Sequence, residues 1–267
     1  EPNDEIAESA PTWSNQTQAL SILADRIELD EFLVETKDAV QNVEAAALGS
    51  KAKQMMRKFH DTFYYGTAKG ASSSAFAGLH NLVSTSSPDM TTAQGSSATG
   101  AAGSLANIRA TINLIKPGSP DHLIMNRNIW ARLSAPYVSN VQYNMTKDDF
   151  GNFLKAYADI PIMVSDYLTQ TETISGSAFS AKTGGATGSI FAVKWGRDAR
   201  SIPNTGNVFN NNGMLGVQAR GFRISEREPL EKKIGFTRKL SWFHTVILGS
   251  NLSLARMDGI TDAAVVV

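Results

Sequence analysis

The chain contains no cysteine among its 267 residues, which excludes disulfide bonds, thiolate metal sites and cysteine nucleophiles. It also lacks any run of about 18 consecutive apolar residues, the length that a membrane-spanning helix needs. The 25 Lys and Arg residues equal the 25 Asp and Glu residues, so the chain as a whole has no charge excess that would attract nucleic acid or a membrane surface. Its 42% hydrophobic content is enough for one large domain or two smaller ones, each with its own core.

The residue types that carry most enzyme chemistry show no recognisable arrangement. The chain has four histidines, His60, His80, His122 and His244. None of them makes an HxH, HxxxH or HExxH spacing. The glycine cluster at 184–188 lacks the Lys-Ser/Thr of a phosphate-binding loop, and no G-x-S-x-G turn is present. The sequence therefore predicts no catalytic, cofactor-binding or metal-binding residue, and a soluble α/β enzyme is only a residual interpretation.

The neutral total conceals an uneven distribution of charge. Residues 1–36 hold nine acids and one base, a net charge of −8, so residues 37–267 carry +8. One interpretation is a solvated acidic arm. The other is an arm that docks on a basic surface of another copy of the chain.

The periodicity of apolar residues predicts the first elements. Alternation over 20–29 predicts a strand, with 32–34 as its buried continuation. From residue 38 an apolar stripe of helical spacing predicts one long helix over 38–65, in which Gly49 permits a bend. The charged residues of this helix are largely basic: Lys51, Lys53, Arg57 and Lys58.

A segment rich in Gly, Ser, Thr and Ala, 91–103, predicts a linker into a second subdomain. The elements predicted after it are a helix over 105–115, a strand over 122–125, a helix near 127–133, a helix over 146–157 with a capping-box-like start, and strands over 189–195, 217–228 and 241–248. The late strands must then pair with the early ones.

Four short segments, ARMDGI at 255–260, FYYG at 63–66, FAGL at 76–79 and DIPI at 159–162, resemble motifs of tailed-bacteriophage major capsid proteins. The most specific is ARMDGI at 255–260, which is similar to the "A-R-x-x-G-I" segment that follows an aromatic-rich strand in that family. FYYG at 63–66 and FAGL at 76–79 resemble the stop of the family's long "spine" helix and the short element after it. DIPI at 159–162 resembles a "G-x-P-I/V" strand, with Asp159 in place of the usual glycine.

The resemblance spans residues 13–260 and implies an α+β fold, the tailed-phage capsid fold. This fold has a peripheral domain with a spine helix and a long sheet, an axial α/β domain and an extended β-loop. The implied divisions are the extended loop or N-terminal arm at 1–25, the peripheral domain at 26–90 with the spine helix at 38–65, the axial domain at 91–220, the peripheral return strands at 221–253, and the return to the axial domain at 254–267.

The function that the resemblance implies is that of a major capsid protein. Its copies would assemble through pentamers and hexamers into an icosahedral shell around double-stranded DNA, in a virion capsid built in the host cytoplasm. Implied partners are other copies, portal, scaffold and cement or decoration proteins, and packaged DNA through weak non-specific contact, but no membrane and no cofactor. The encapsulins share this fold, so the alternative is a nanocompartment that packages an enzyme cargo.

The family's extended loop lies over a neighbouring subunit, which implies a contact between acidic and basic residues of different copies. The acidic set is Glu1, Asp4, Glu5 and Glu8, and the basic set is Lys51, Lys53, Arg57 and Lys58. Some members cross-link through a lysine of the loop, but residues 1–36 contain no lysine, so we do not expect that chemistry here. The start at Glu1 is compatible with removal of a scaffolding segment by a maturation protease.

Overall fold

The computed structural model describes residues 19–37, 42–67, 75–83, 90–94, 100–139, 146–147, 153–173, 182–196, 213–231 and 233–266. Within these ranges the strands form one four-stranded sheet, one seven-stranded sheet and one two-stranded pair. Helices accompany both of the larger sheets, and the predicted α+β class is confirmed. No helix of the described ranges combines the length and the apolar character needed to cross a lipid bilayer.

The helices are α1 (Glu31–Lys37), α2 (Val43–Tyr65), α3 (Leu79–Leu82), α4 (Leu105–Asn113) and α5 (Arg127–Ser139). The strands are β1 (Ser21–Asp30), β2 (Thr91–Ala93), β3 (Ala101–Ser104), β4 (His122–Met125), β5 (Thr146–Lys147), β6 (Phe153–Leu154), β7 (Ala156–Tyr157), β8 (Ile160–Val164), β9 (Thr187–Val193), β10 (Met214–Ile224), β11 (Glu228–Pro229), β12 (Gly235–Leu248) and β13 (Leu254–Val266).

The four-stranded sheet brings one early strand together with three late strands. β12 lies in the middle, with β1 antiparallel to it on one side and β10 and β11 on the other. The register of β1 runs from Ser21 opposite His244 to Asp30 opposite Gly235. The predicted pairing of late strands with early ones is confirmed.

Helix α2 covers one face of this sheet. The side chains of β1 alternate between a covered and an exposed face, as expected for a strand with one buried side. Ile27, Met55 and Leu240 form the centre of the shared core, and each is at most 6% exposed. Burial of one such side chain stabilises the fold by about 1.5–3 kcal/mol, so this cluster fixes α2 along the sheet.

The seven-stranded sheet has the order β2-β13-β9-β4-β8-β7, with β3 also paired to β13. β9 is buried at all seven positions because both of its faces are covered. Ile190 and Ala192 face a core that includes residues of α4 and α5. Phe191 and Val193 face a second core that includes Tyr64 at the end of α2. A strand buried on both faces reads as a continuous apolar run, as SIFAV does here.

The prediction of a buried strand continuation at 32–34 is wrong. These residues lie in α1, and Phe32 is 72% exposed. The Asp30 carboxylate accepts a hydrogen bond from the Phe32 backbone N–H at 2.9 Å, which ends the strand and starts a helical turn. The long helix is also shorter than predicted, because Asn42 caps α2 by accepting from the Ala45 N–H at 2.8 Å, while residues 38–41 lie outside the described ranges.

The prediction of a helix over 146–157 is also wrong, because β5, β6 and β7 occupy its described residues. β7 and β8 form a hairpin in which Tyr157 is opposite Ile160. The two residues between them have positive φ, 50° at Ala158 and 64° at Asp159. A two-residue hairpin turn requires this left-handed backbone. Asp159 stands where the capsid motif has glycine, so the turn explains the preference for glycine.

Replacing Ala158 and Asp159 by Asn-Gly should raise the free energy of unfolding by about 1 kcal/mol, because Asn and Gly adopt positive φ with less strain than Ala and Asp. Urea unfolding measures the change. Ala156→Gly in the adjoining buried strand is the matched control and should lower stability, since it adds backbone freedom without relieving strain. An Asn-Gly variant less stable than the parent would contradict the turn geometry.

Candidate functional site

The basic residues predicted on the long helix all lie on α2. Lys53, Arg57 and Lys58 are exposed, and no carboxylate of the described ranges forms an ion pair with them. Lys53 and Arg57 are four residues apart and therefore share one helix face. The acidic residues predicted to face them in another copy, Glu1, Asp4, Glu5 and Glu8, lie outside the described ranges.

Lys51 differs from the other three because its charge is paired within the chain. Its Nζ lies 3.1 Å from Oδ2 of Asp25 on β1, and both side chains are about one-third exposed. Burial alone would raise the pKa of Asp25, but the hydrogen bonds from Lys51 and from the Arg26 backbone N–H, with the Lys51 and Lys58 charges, lower it below its usual value. This pair joins α2 to β1, whereas Lys53, Arg57 and Lys58 have no carboxylate partner among the residues that the structure describes.

A groove of about 150 Å³ lies beside these cations, between the start of β1 and the C-terminal half of α2. Lys58 lines it together with residues 21–24 of β1. The rings of Phe59, Phe76 and His244 also line it, with centroids 5.0–5.8 Å apart. Burial lowers the pKa of His244, which favours the neutral ring. The groove therefore combines an aromatic wall with one cation.

The strongest electrostatic feature of the described residues is a buried carboxylate that the sequence did not reveal. Glu172 is 1% exposed. Its oxygens accept hydrogen bonds from the Tyr65 hydroxyl at 2.7 Å, His80 Nε2 at 2.9 Å and the Ser189 hydroxyl at 2.5 Å. Arg256 Nη2 lies 3.4 Å from Glu172 Oε2, and Arg256 Nε donates to the Ser189 hydroxyl at 3.0 Å. We call these five residues the Glu172 cluster.

The Glu172 cluster keeps its carboxylate ionised. Burial alone would raise the pKa of Glu172, but its hydrogen bond from His80, the charges of His80 and Arg256, and the Ser189 hydroxyl lower it below the usual 4.5. His80 Nδ1 lies 2.8 Å from the carbonyl oxygen of Tyr64. Both ring nitrogens of His80 therefore lie within hydrogen-bonding distance of an oxygen, the Tyr64 carbonyl on one side and the Glu172 carboxylate on the other.

The Glu172 cluster explains three of the motifs that resemble capsid proteins. Arg256 belongs to ARMDGI, Tyr65 belongs to FYYG, and His80 directly follows FAGL. Two of these motifs also touch through their glycines, since the Gly78 N–H donates to the Gly66 carbonyl at 2.8 Å. A Cβ on Gly66 would lie 2.3 Å from the Phe76 carbonyl oxygen. Only glycine permits this approach.

One sequence signal points to Glu172, and it is indirect. Arg256 lies in a strand of small and apolar residues, and a buried arginine requires an acidic partner. Which acid provides it depends on the sheet register, because Glu172 is 84 residues away in the chain.

The remaining histidines take part in packing or single hydrogen bonds. The His60 ring stacks on Tyr167 with centroids 4.9 Å apart, and His122 Nδ1 accepts from the Trp195 indole at 3.0 Å. Across the ranges that the structure describes, no three His, Asp or Glu side chains are grouped to hold a metal ion.

Comparison with known proteins finds similarity in structure alone. No protein-family model matches the sequence, and no curated protein matches it. The structure is similar to the SrpI encapsulin of Synechococcus elongatus PCC 7942, with a TM-score of 0.65, 12% identity and coverage of 93% of this chain and 76% of that one. It is also similar to the capsid of a native GTA particle (TM-score 0.55, 12% identity, 94% and 81% covered) and to the capsid of the Myoviridae phage XM1 (0.54, 9%, 90% and 74%).

Replacing Glu172 by Gln should lower the free energy of unfolding by about 3–5 kcal/mol, because the buried Arg256 cation loses its counter-ion. Asp166→Asn is the matched control. It breaks the exposed pair with Arg127, whose side chains are 72% and 69% exposed, and should cost less than about 1 kcal/mol. Urea unfolding of both variants measures the difference. Equal losses would contradict a special contribution of the buried cluster.

Acid should remove the stabilisation that ionised Glu172 provides. Because the folded pKa of Glu172 lies below the unfolded value of about 4.5, the stabilisation is complete above pH 4.5 and is lost as the pH falls through the folded pKa. Unfolding midpoints of the parent and Glu172→Gln between pH 7 and pH 2 measure this. The difference between the unfolding midpoints of the two proteins should decrease below pH 4.5. A difference between the midpoints that does not change with pH would show that Glu172 is not ionised in the folded protein.

Proposed function

The chain has the capsid fold that tailed bacteriophages share with encapsulins, and from this fold we propose that it is a shell-forming structural protein. The first candidate is a phage major capsid protein, whose copies assemble into an icosahedral virion shell around double-stranded DNA. The observation that supports it is the match of 90–94% of the chain to capsid structures with TM-scores of 0.54–0.55. Nothing in the proposal requires a catalytic residue.

Assembly in this proposal uses contacts between different surfaces of neighbouring copies. Such contacts repeat around an axis and close into rings, here pentamers and hexamers. Lys53, Arg57 and Lys58, which form no ion pair within the described ranges, face the acidic residues of a neighbour's arm, 1–25. These acidic residues are Glu1, Asp4, Glu5 and Glu8. Each exposed ion pair contributes only about 0–1 kcal/mol, but the contact recurs in every copy of the shell.

In this proposal the peripheral domain comprises 26–90 and the return strands 221–253, and the axial domain comprises 91–220 and the final segment 254–267. Portal, scaffold and cement or decoration proteins join the shell as further partners. DNA contact is weak and non-specific because the chain is neutral overall.

An encapsulin-like compartment with an enzyme cargo is the second candidate. The TM-score of 0.65 to the Synechococcus elongatus encapsulin exceeds the values of 0.55 and 0.54 to the two capsids, and this observation favours it. Both candidates form shells from many copies of one chain. They differ in the contents of the shell, DNA in one and protein in the other.

Electron microscopy and size-exclusion chromatography of the purified protein should show closed particles or rings. The triple variant Lys53→Glu, Arg57→Glu and Lys58→Glu should form neither, because α2 and the acidic arm of a neighbouring copy would then repel each other. Lysine at positions 1, 4, 5 and 8 should restore assembly in that variant by reversing the charges of Glu1, Asp4, Glu5 and Glu8.

The control for net charge reverses three exposed bases outside α2, Arg109, Lys116 and Lys155, to Glu. This triple variant should still assemble into particles or rings. Loss of assembly in the control would mean that net charge, not the face of α2, decides the result. A parent protein that stays monomeric or dimeric under all conditions would refute both shell functions. DNA-filled particles would select the phage capsid, and protein-filled particles the encapsulin.

A further inference from the structure

The four-stranded sheet ends in two edge strands, β1 on one side and β10 on the other. Among the described residues, no strand pairs with the outer edge of β1 or with residues 216–224 of β10. The backbone N–H and C=O groups of such edges pair readily with a strand from another chain. β1 in particular pairs over ten residues with no bulge.

The two edges carry opposite charge. β1 contains Asp25, Glu28 and Asp30 against one base, Arg26. Asp25 is paired with Lys51 of α2 and Glu28 with Arg26, so the negative charge that stays uncompensated within the described ranges is that of Asp30. β10 contains two arginines and no acid, a net charge of +2. No acidic side chain of the described ranges forms an ion pair with Arg220 or Arg223, so their charges are available to another chain.

Both edges also expose apolar side chains. On β10, Phe222 and Ile224 are 42% and 41% exposed, and residues 216–224 are exposed or half-exposed on both faces of the strand. On β1, Ile22 is 54% exposed and lies opposite Phe243 of the central strand. Arg220 stacks on the same Phe243 ring at 5.1 Å, which holds its charge at the outer face of the sheet.

The charges decide which edges can meet. Pairing β1 with β1 places acids near acids, and pairing β10 with β10 places arginines near arginines, whereas pairing β1 with β10 joins opposite charges. β10 has two register shifts, between Gln218 and Arg220 and between Arg220 and Arg223, and a strand that pairs with this edge must accommodate them. The pattern therefore favours one particular partner strand.

We propose that the β1 edge of one copy pairs with the β10 edge of a second copy, so that the sheet continues from subunit to subunit. This inference rests on the proposed shell function and names one contact that joins its subunits. The two surfaces differ, so the contact repeats in one direction around an axis and closes into a ring. It uses described residues of the sheet and is separate from the contact between the arm and α2.

Cross-linking tests the contact directly, because the chain has no cysteine and each introduced thiol is therefore unique. Ala24→Cys on β1 and Ala219→Cys on β10 replace exposed, uncharged residues. Chains of the two variants are co-expressed, and the assembled particles are treated with a short bis-maleimide. A covalent dimer should form only when both variants are present. Ala110→Cys on α4, combined with Ala219→Cys, should give no dimer.

A charge swap in the cysteine background provides the second measurement. Arg220→Glu with Arg223→Glu should lower the cross-linked fraction roughly fivefold, because attraction becomes repulsion. Glu28→Arg with Asp30→Asn should lower it similarly, and the asparagine keeps an acceptor for the Phe32 N–H. All four changes together should restore the cross-link.

Three results would overturn the inference. Particles that form without the 24–219 dimer would leave the shell function intact and reject edge pairing. Covalent dimers in a preparation of only one cysteine variant would show a twofold contact between two β1 edges or two β10 edges, in place of the proposed contact between β1 and β10. Absence of any ring or particle in the parent protein would remove the shell function and the edge contact together.

Discussion

The buried charge of Glu172 is the constraint on which the arrangement of this chain depends. An ionised carboxylate without partners costs several kcal/mol in the interior, so every group that satisfies it must be in place. These groups come from four different places in the chain: the end of α2, the start of α3, the middle of β9 and the start of β13. If the long helix moved away from the seven-stranded sheet, the buried Glu172 carboxylate would lose its hydrogen bond from the Tyr65 hydroxyl.

The apolar clusters supply most of the favourable energy of this fold, and the Glu172 cluster restricts which packing is accepted. Apolar side chains tolerate shifts and substitutions of similar volume. A buried ion pair does not, because each misplaced partner leaves an unpaired charge. The three motifs that converge on Glu172 thus mark the point where helix, loop and sheet must agree, and this explains why short motifs identified the fold at 9–12% identity to the compared capsids and encapsulin.

Strong periodicity made much of the fold predictable. The alternation of β1, the apolar run of β4 and the helical stripe of α2 were all visible in the sequence. The errors arose where one polar side chain or one turn overrode the pattern, as at Asp30 and at the left-handed pair before β8. The basic residues of α2 were also visible. That Lys51 is paired with Asp25, and that Glu172 is the partner of Arg256, depends on contacts between residues distant in the chain, which no local pattern encodes.

The pairing of β1 with β12 has a consequence for how the protein is made. Ser21 contacts His244 across 223 residues of sequence, and loop closure over such separations slows folding. At roughly 5–20 residues per second of translation, β1 waits about 10–45 s for its partner strand to be synthesised. Through that interval the edge of β1 that later pairs with β12 has no partner strand. The four-stranded sheet is therefore completed only after β12 has been synthesised, whereas helix α2, which packs on the apolar face of β1, is synthesised much earlier.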